Sequence, residues 1–180
     1  MKILLINFSS RKLGNCNSIT KFIEDNLKDE IKIISFSSLS IKSCGDCNYE
    51  CFNKRLDCPF ISDDAYEIYE EILKSELVYF IVPNYCDYPC SNFFKFNERS
   101  LCYFSGMSNL LEKYESINKR YIVISNTEKD NFIKVFNYHS SSQPQALFLS
   151  SKSVNKRSID GDLLESQEIK SKILSFIENK

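Results

Sequence analysis

Five short apolar runs divide the chain, at residues 3–6, 31–36, 77–82, 121–124 and 146–149. Each is rich in β-branched or aromatic residues. Most are continuous rather than alternating, the pattern of strands buried on both faces. Helical spacing fills the gaps between them. Ile19, Phe22, Ile23 and Leu27 fall on one face, as do Ile68, Ile72 and Leu73, and later Ile169, Ile173, Phe176 and Ile177. Asp64 and Glu67 stand at capping-box spacing ahead of the second stripe. Strand and helix alternate through most of the chain, which predicts parallel strands joined by right-handed crossovers. Two stretches carry no clean period. Residues 43–60 form a cysteine-rich loop inserted before the second helix, and residues 91–118 start as a helix and lose their pattern after Phe104.

The expected fold is therefore α/β: a three-layer sandwich with a five-stranded parallel sheet in the order 2-1-3-4-5 and helices on both faces. That is the flavodoxin-like architecture, whose ligands sit at the carboxyl ends of the strands near the switch point. The length of 180 residues suits one domain, and no repeat or linker divides residues 1–180. A formal net charge of −1 without a basic stripe argues against nucleic-acid binding. The two basic clusters, Lys119-Arg120 and residues 152–157, read as solvated loop edges. The apolar runs are too short for a bilayer, and no cleavage site follows the first of them, so the expected location is cytoplasmic. Eight cysteines in a reducing compartment point to metal ligation, redox roles or plain burial rather than to disulfides.

The first strand runs into Ser9-Ser10-Arg11-Lys12-Leu13-Gly14-Asn15-Cys16-Asn17-Ser18, and a helix follows. A hydroxyl-rich loop leading into a helix start is an anion site, because free backbone N–H groups and the positive helix end meet there. The loop lacks the Gly-Lys-Ser/Thr ending of a P-loop and holds a single glycine, so a monophosphate fits better than a triphosphate or dinucleotide. The plainer reading is that Asn17 or Ser18 merely caps the helix.

The residues from Ser9 to Cys16 resemble the G-S-P-R-x-x-G-N-[TSC] opening of the NADPH-dependent FMN reductase and iron–sulfur flavoprotein group, with Ser10 in place of proline. In that group this loop cradles the FMN phosphate, which implicates Ser9, Arg11, Asn15, Cys16, Asn17 and Ser18. Pro83-Asn84-Tyr85-Cys86-Asp87 and the residues that follow resemble the group's P-x-Y-[WF]-x-x-x-S-x-x-x-K, which packs against the flavin ring. Flat apolar contact and a few backbone hydrogen bonds are what that ring needs. Asn126 and Thr127, after the fourth predicted strand, would flank it. Glu98-Arg99 stands where the group has Asp-Arg ending a helix that often makes dimer contacts. Gly161-Asp162-Leu163-Leu164 resembles a common C-terminal phrase of the group.

Cys44, Cys47, Cys51 and Cys58 resemble the group's C-x-x-C-x-x-C-x(4–7)-C, with three residues rather than two in the second gap. In iron–sulfur flavoproteins these four hold a [4Fe–4S] cluster. A zinc site and a metal-free thiol loop stay open beside it. Cys16, Cys86, Cys90 and Cys102 read as small buried hydrophobes, with Cys86 and Cys90 in the flavin loop. His139 reads as a solvated side chain, since no nucleophile elbow accompanies it.

The resemblance thus implies an FMN-dependent oxidoreductase. It would pass a hydride from NAD(P)H to the flavin and electrons onward to an unidentified acceptor, as a homodimer or homotetramer. No side chain is assigned as catalytic, because the cofactor carries the chemistry. Two alternatives remain: an electron carrier with a [4Fe–4S] cluster, and a non-enzymatic zinc or cysteine module with a degenerate flavin site.

Overall fold

The continuous apolar run at the start of the chain becomes β1 (Lys2–Asn7), with an apolar layer on each side. Ile3 and Leu5 face one layer and Leu4 and Ile6 the other, which is why no polar residue interrupts the run. The structure, a computed structural model, describes residues 1–54, 57–127, 131–139, 144–156 and 162–178. After β1 come α1 (Asn15–Asn26), β2 (Glu30–Ser35), α2 (Asp64–Leu73) and β3 (Leu77–Tyr85). Then follow β4 (Tyr88–Pro89), α3 (Ser91–Glu98), α4 (Ser100–Phe104), α5 (Ser108–Ser116) and β5 (Asn118–Ser125). The chain continues through α6 (Phe132–His139), β6 (Gln145–Ser150) and α7 (Gln167–Glu178).

The long strands lie in the order β2-β1-β3-β5-β6, and every neighbouring pair is parallel. Counted among themselves they run 2-1-3-4-5, the flavodoxin-like order expected from the sequence. The two-residue β4 is an addition: it folds back antiparallel on the end of β3, pairing Asn84 with Pro89 and Tyr85 with Tyr88.

Alternate side chains of the sheet feed two cores. On one face Tyr79, Ile81, Ile122 and Ile124 meet Ile19 and Ile23 of α1 and Ile169, Ile173 and Ile177 of α7. On the other Val78, Phe80, Val82 and Val123 meet Ile68 and Ile72 of α2 together with an aromatic stack. Tyr69 lies at its centre, with ring centroids 4.6 Å from Phe96 and 4.8 Å from Tyr103. Each such buried side chain contributes about 1.5–3 kcal/mol. Residues 91–118 have weak periodicity for a visible reason: α4 is one short turn beyond α3, Gly106 (φ 71°) breaks the chain, and α5 buries none of its residues.

Two sequence readings change. The cap of α2 is Asp63, whose Oδ1 accepts from Ala65 N at 3.0 Å. Its neighbour Asp64 instead accepts from Ser40 N at 2.5 Å. Lys119-Arg120 is no loop edge but the start of β5. Arg120 is buried, donates from Nη1 to the Phe176 carbonyl at 2.8 Å and lies over the Phe176 ring. Lys119 Nζ donates to the carbonyls of Glu115 and Ile117 at 3.3 and 3.1 Å, closing the end of α5. Long aliphatic stems let both side chains cross apolar surface to reach helix carbonyls. The reading of the second basic cluster is kept at Lys152, which is exposed, whereas Arg157 lies outside the described residues. Glu128, Lys129, Asp130, Gly161 and the His139 side chain also lie outside them.

Candidate cofactor site

The carboxyl ends of β1, β3 and β5 frame an open cavity of about 480 Å³, counting the space at its mouth that is continuous with solvent. Its first wall is the loop after β1, which is held from within by short polar side chains. Asn7 Oδ1 accepts from Ser9 N at 2.9 Å, and Ser9 Oγ accepts from Arg11 N at 3.1 Å. Asn7 Nδ2 donates to Asn17 Oδ1 at 2.5 Å, while Asn17 Nδ2 donates to the Arg11 carbonyl at 3.0 Å. Gly14 then turns the chain into α1 at φ 121° and ψ −177°. This is a region that only glycine enters freely. No side chain caps α1, so the positive end of the helix faces the cavity uncovered by an Asn or Ser. The simple capping role for Asn17 or Ser18 is thereby overturned. Asn17 braces the loop, and the Ser18 hydroxyl donates to the Gly14 carbonyl at 3.3 Å.

The second wall is the β3–β4 hairpin. Pro83, Asn84 and Tyr85 line the cavity, and Asn84 is buried. Cys86 (φ 50°) and Asp87 (φ 66°) make the turn, both left-handed as a two-residue type I′ hairpin demands. The Asp87 carbonyl accepts from Asn131 N at 3.1 Å, and its carboxylate accepts the Thr127 hydroxyl. The turn is thus bound to the loop after β5, which gives the third wall through Ile124 and Asn126.

Two titratable groups here are held neutral. Burial pushes the Cys16 thiol up to about 12, with nearby Cys90 adding to it. Burial raises the Tyr85 phenol as well, and Cys16 and Cys90 reinforce the shift. The cavity therefore presents a cationic side chain, Arg11, a buried hydroxyl, Ser9, and flat or apolar surface from Tyr85 and Leu13.

Of the residues singled out in the sequence, Ser9, Arg11, Asn15, Cys16, Pro83, Asn84, Tyr85 and Asn126 line this cavity. Asn15 does so while its Oδ1 accepts from Leu163 N at 2.9 Å, which fastens the C-terminal segment to α1. Asn17, Ser18, Cys86, Asp87 and Thr127 are not in the lining and instead shape its walls. Leu13, Gly14 and Ile124 were missed. Gly14, the one glycine of its loop, carried a readable signal; Leu13, 83% exposed, carried none.

The cysteine segment lies elsewhere. None of Cys44, Cys47, Cys51 and Cys58 lines the cavity. Among the described residues, no three histidines, cysteines or acids come together in a way that could hold a metal ion. The thiols turn instead to the backbone, Cys47 to the Cys44 carbonyl at 2.9 Å and Cys44 to the Glu98 carbonyl at 3.4 Å. Arg99, read from the sequence as neighbouring a dimer contact, is fully buried beneath this segment. Its Nη1 donates to the Asp63 carboxylate and, at 2.9 Å, to the Lys42 carbonyl, and its Nη2 to the Phe60 carbonyl at 3.1 Å.

No family model matches the sequence, and no curated protein does. Solved structures share the fold. The chain superposes on a putative quinone reductase from Klebsiella pneumoniae with a TM-score of 0.69 at 10% identity, covering 99% of this chain and 84% of that one. It superposes on an FMN-dependent NADH-azoreductase from Bacillus anthracis, solved with FMN, with a TM-score of 0.66 at 13% identity, covering 99% of each chain. A flavone reductase gives a TM-score of 0.61 at 13% identity, and 99% of this chain spans only 61% of that one. At such identities the likeness establishes the flavodoxin-like fold. Among the described residues no helix is long and apolar enough to cross a membrane.

Proposed function

We propose that the chain is a single FMN-binding domain acting as an NAD(P)H-dependent oxidoreductase. The observation that carries this reading is the convergence at one cavity of Arg11, the uncapped start of α1 and the Tyr85 hairpin. The donor set fits the cofactor. Arg11, the Ser9 hydroxyl and the first turn of α1 suit a phosphate monoester dianion, which a helix start and a guanidinium both favour. Tyr85 and Leu13 suit a flat apolar ring, and Asn84 and Asn126 suit its polar edge. FMN, once bound, supplies the chemistry of accepting a hydride and releasing electrons. The chain's own work is to bind, orient and exclude water. The neutral Cys16 and Tyr85 place no negative charge beside the phosphate. Structures of this fold described as quinone, azo and flavone reductases support the same class of activity.

The test is an anaerobic visible spectrum of freshly purified protein, with FMN titration and an iron assay on the same sample. Bands near roughly 375 and 450 nm, and oxidation of NADH or NADPH that depends on added FMN, are the expected result. A colourless protein that takes up no FMN overturns the proposal. About four irons per chain would assign the protein to the iron–sulfur electron carriers instead.

A further inference from the structure

A small cluster of buried cysteines lies apart from both faces of the sheet. It consists of Cys51, Cys58 and Cys102, with Phe60, Ile61 and Tyr66 packed against it. Cys102 belongs to α4, whereas Cys51 and Cys58 come from the loop before α2. The Arg99 guanidinium reaches two of the three sulfurs, with Nε 3.3 Å from Cys102 Sγ and Nη2 3.9 Å from Cys58 Sγ. Burial pushes the Cys58 thiol up, and Cys102 beside it adds to the rise. The Cys44 and Cys47 thiols donate to the Glu98 and Cys44 carbonyls. The segment that carries Cys51 is loosely built. Asn48, Tyr49, Phe52, Asn53 and Lys54 are exposed residues of short turns, not of a helix or strand packed in the core. Satellite clusters under such loops open at lower cost than the sheet.

We propose that Cys58 and Cys102 form a redox-active thiol pair, oxidised to a disulfide by a hydroperoxide. The reaction balances with that oxidant alone. The Cys102 sulfur, its proton lost, attacks the terminal peroxide oxygen; the O–O bond breaks, and the departing oxygen takes up a proton and leaves as water or an alcohol. Cys102 is then a sulfenic acid. The Cys58 sulfur attacks it, the S–O bond breaks, and the oxygen leaves as water with the Cys58 proton. Two thiols give up two electrons and two protons, and the peroxide receives both. Arg99 is the positioning residue. Its guanidinium donates to the Cys102 sulfur, which carries negative charge in the first step. Asp63 and the carbonyls of Lys42 and Phe60 fix it in place. The product would tie the cysteine loop covalently to α4. Nothing in this inference depends on FMN.

Trypsin separates the candidates. Cleavage after Lys42, Lys54, Arg55, Lys74, Arg99 and Lys113 puts Cys44, Cys47 and Cys51 on peptide 43–54, Cys58 on 56–74 and Cys102 on 100–113. The whole reduced protein is exposed to hydrogen peroxide, quenched in acid, alkylated while denatured and mapped without reduction. Peptides 56–74 and 100–113 are expected as the main linked species, absent in Cys102→Ser. A main product that links Cys51, or stays within 43–54, overturns the proposal. So does oxidation confined to the exposed Cys86 while Cys58 and Cys102 are recovered alkylated.

Discussion

The two ends of α3 are built on opposite principles. At its start, Asn92 Nδ2 donates to the Phe8 carbonyl and to Ser10 Oγ, both at 2.9 Å, so the helix abuts the loop that frames the cavity. That contact is made by short polar side chains, an exposed Ser10 and a half-buried Asn92. Just beyond its end stands Arg99, a buried cation surrounded by carbonyls, a carboxylate and two sulfurs. Eight residues separate these environments, about 12 Å along the axis. One end owes its shape to backbone geometry, and the other to a single charge that must be satisfied once buried. The first braces the loop after β1 through a surface amide. The second holds a loop in place because its donors face inward.

The comparison is broken most severely by Arg99→Ala. Losing one partner of a buried ion pair typically costs about 3–5 kcal/mol, and urea unfolding should show a loss of that size. Protein that still folds should bind FMN within about twofold of the parent, since Arg99 lies outside the cavity lining. A larger loss of FMN affinity in folded protein would show that the two ends act as one. Gly14→Ala strikes the other end, forcing a side chain into backbone space open mainly to glycine. The expected cost is about 1–3 kcal/mol in thermal unfolding, together with weaker FMN binding. Arg11→Ala should leave stability within about 0.5 kcal/mol, because the side chain is exposed. By flavin fluorescence quenching it should weaken FMN about tenfold, with a smaller gap at high salt. Thr127→Val removes one donor to the Asp87 carboxylate and should cost about 1 kcal/mol. Its effect on FMN affinity should be no more than about threefold if the hairpin only frames the cavity.

The parts legible in the sequence were those set by local period. Continuous apolar runs located the central strands β1, β3 and β5, which are buried for most of their length. The edge strands β2 and β6 were legible from β-branched and apolar content although they are only partly buried. The loop after β1 was legible as an anion site because its hydroxyls, its single glycine and the following helix are adjacent in the chain. Roles created by distant partners were not. Arg99 reads as a helix-end surface residue until Lys42, Phe60, Asp63 and Cys102 are brought around it. Asp87 and Thr127 both looked like ligand contacts, and only the fold shows that they bond to each other. Neighbouring Asp63 and Asp64 are equivalent on paper, and the approach of Arg99 and Lys42 to Asp63 sets which one caps α2. The short β4 could not be foreseen, since two residues carry no period.

The strand order also constrains how the chain is made. β1 lies between β2 and β3, so it pairs with its near neighbour after one helix but with its far neighbour only after the whole cysteine segment and α2 have been added. Glu76 N donates to the Lys2 carbonyl at 2.9 Å, and Ile3 pairs with Leu77, across more than seventy positions of chain. A growing polypeptide can therefore complete the β1–α1–β2 unit early, yet one edge of β1 stays unsatisfied until β3 emerges. Central parallel ladders closed over such distances assemble slowly. The docking of β3 brings the first two walls of the cavity together, and the third waits until β5 has paired with β3 in turn.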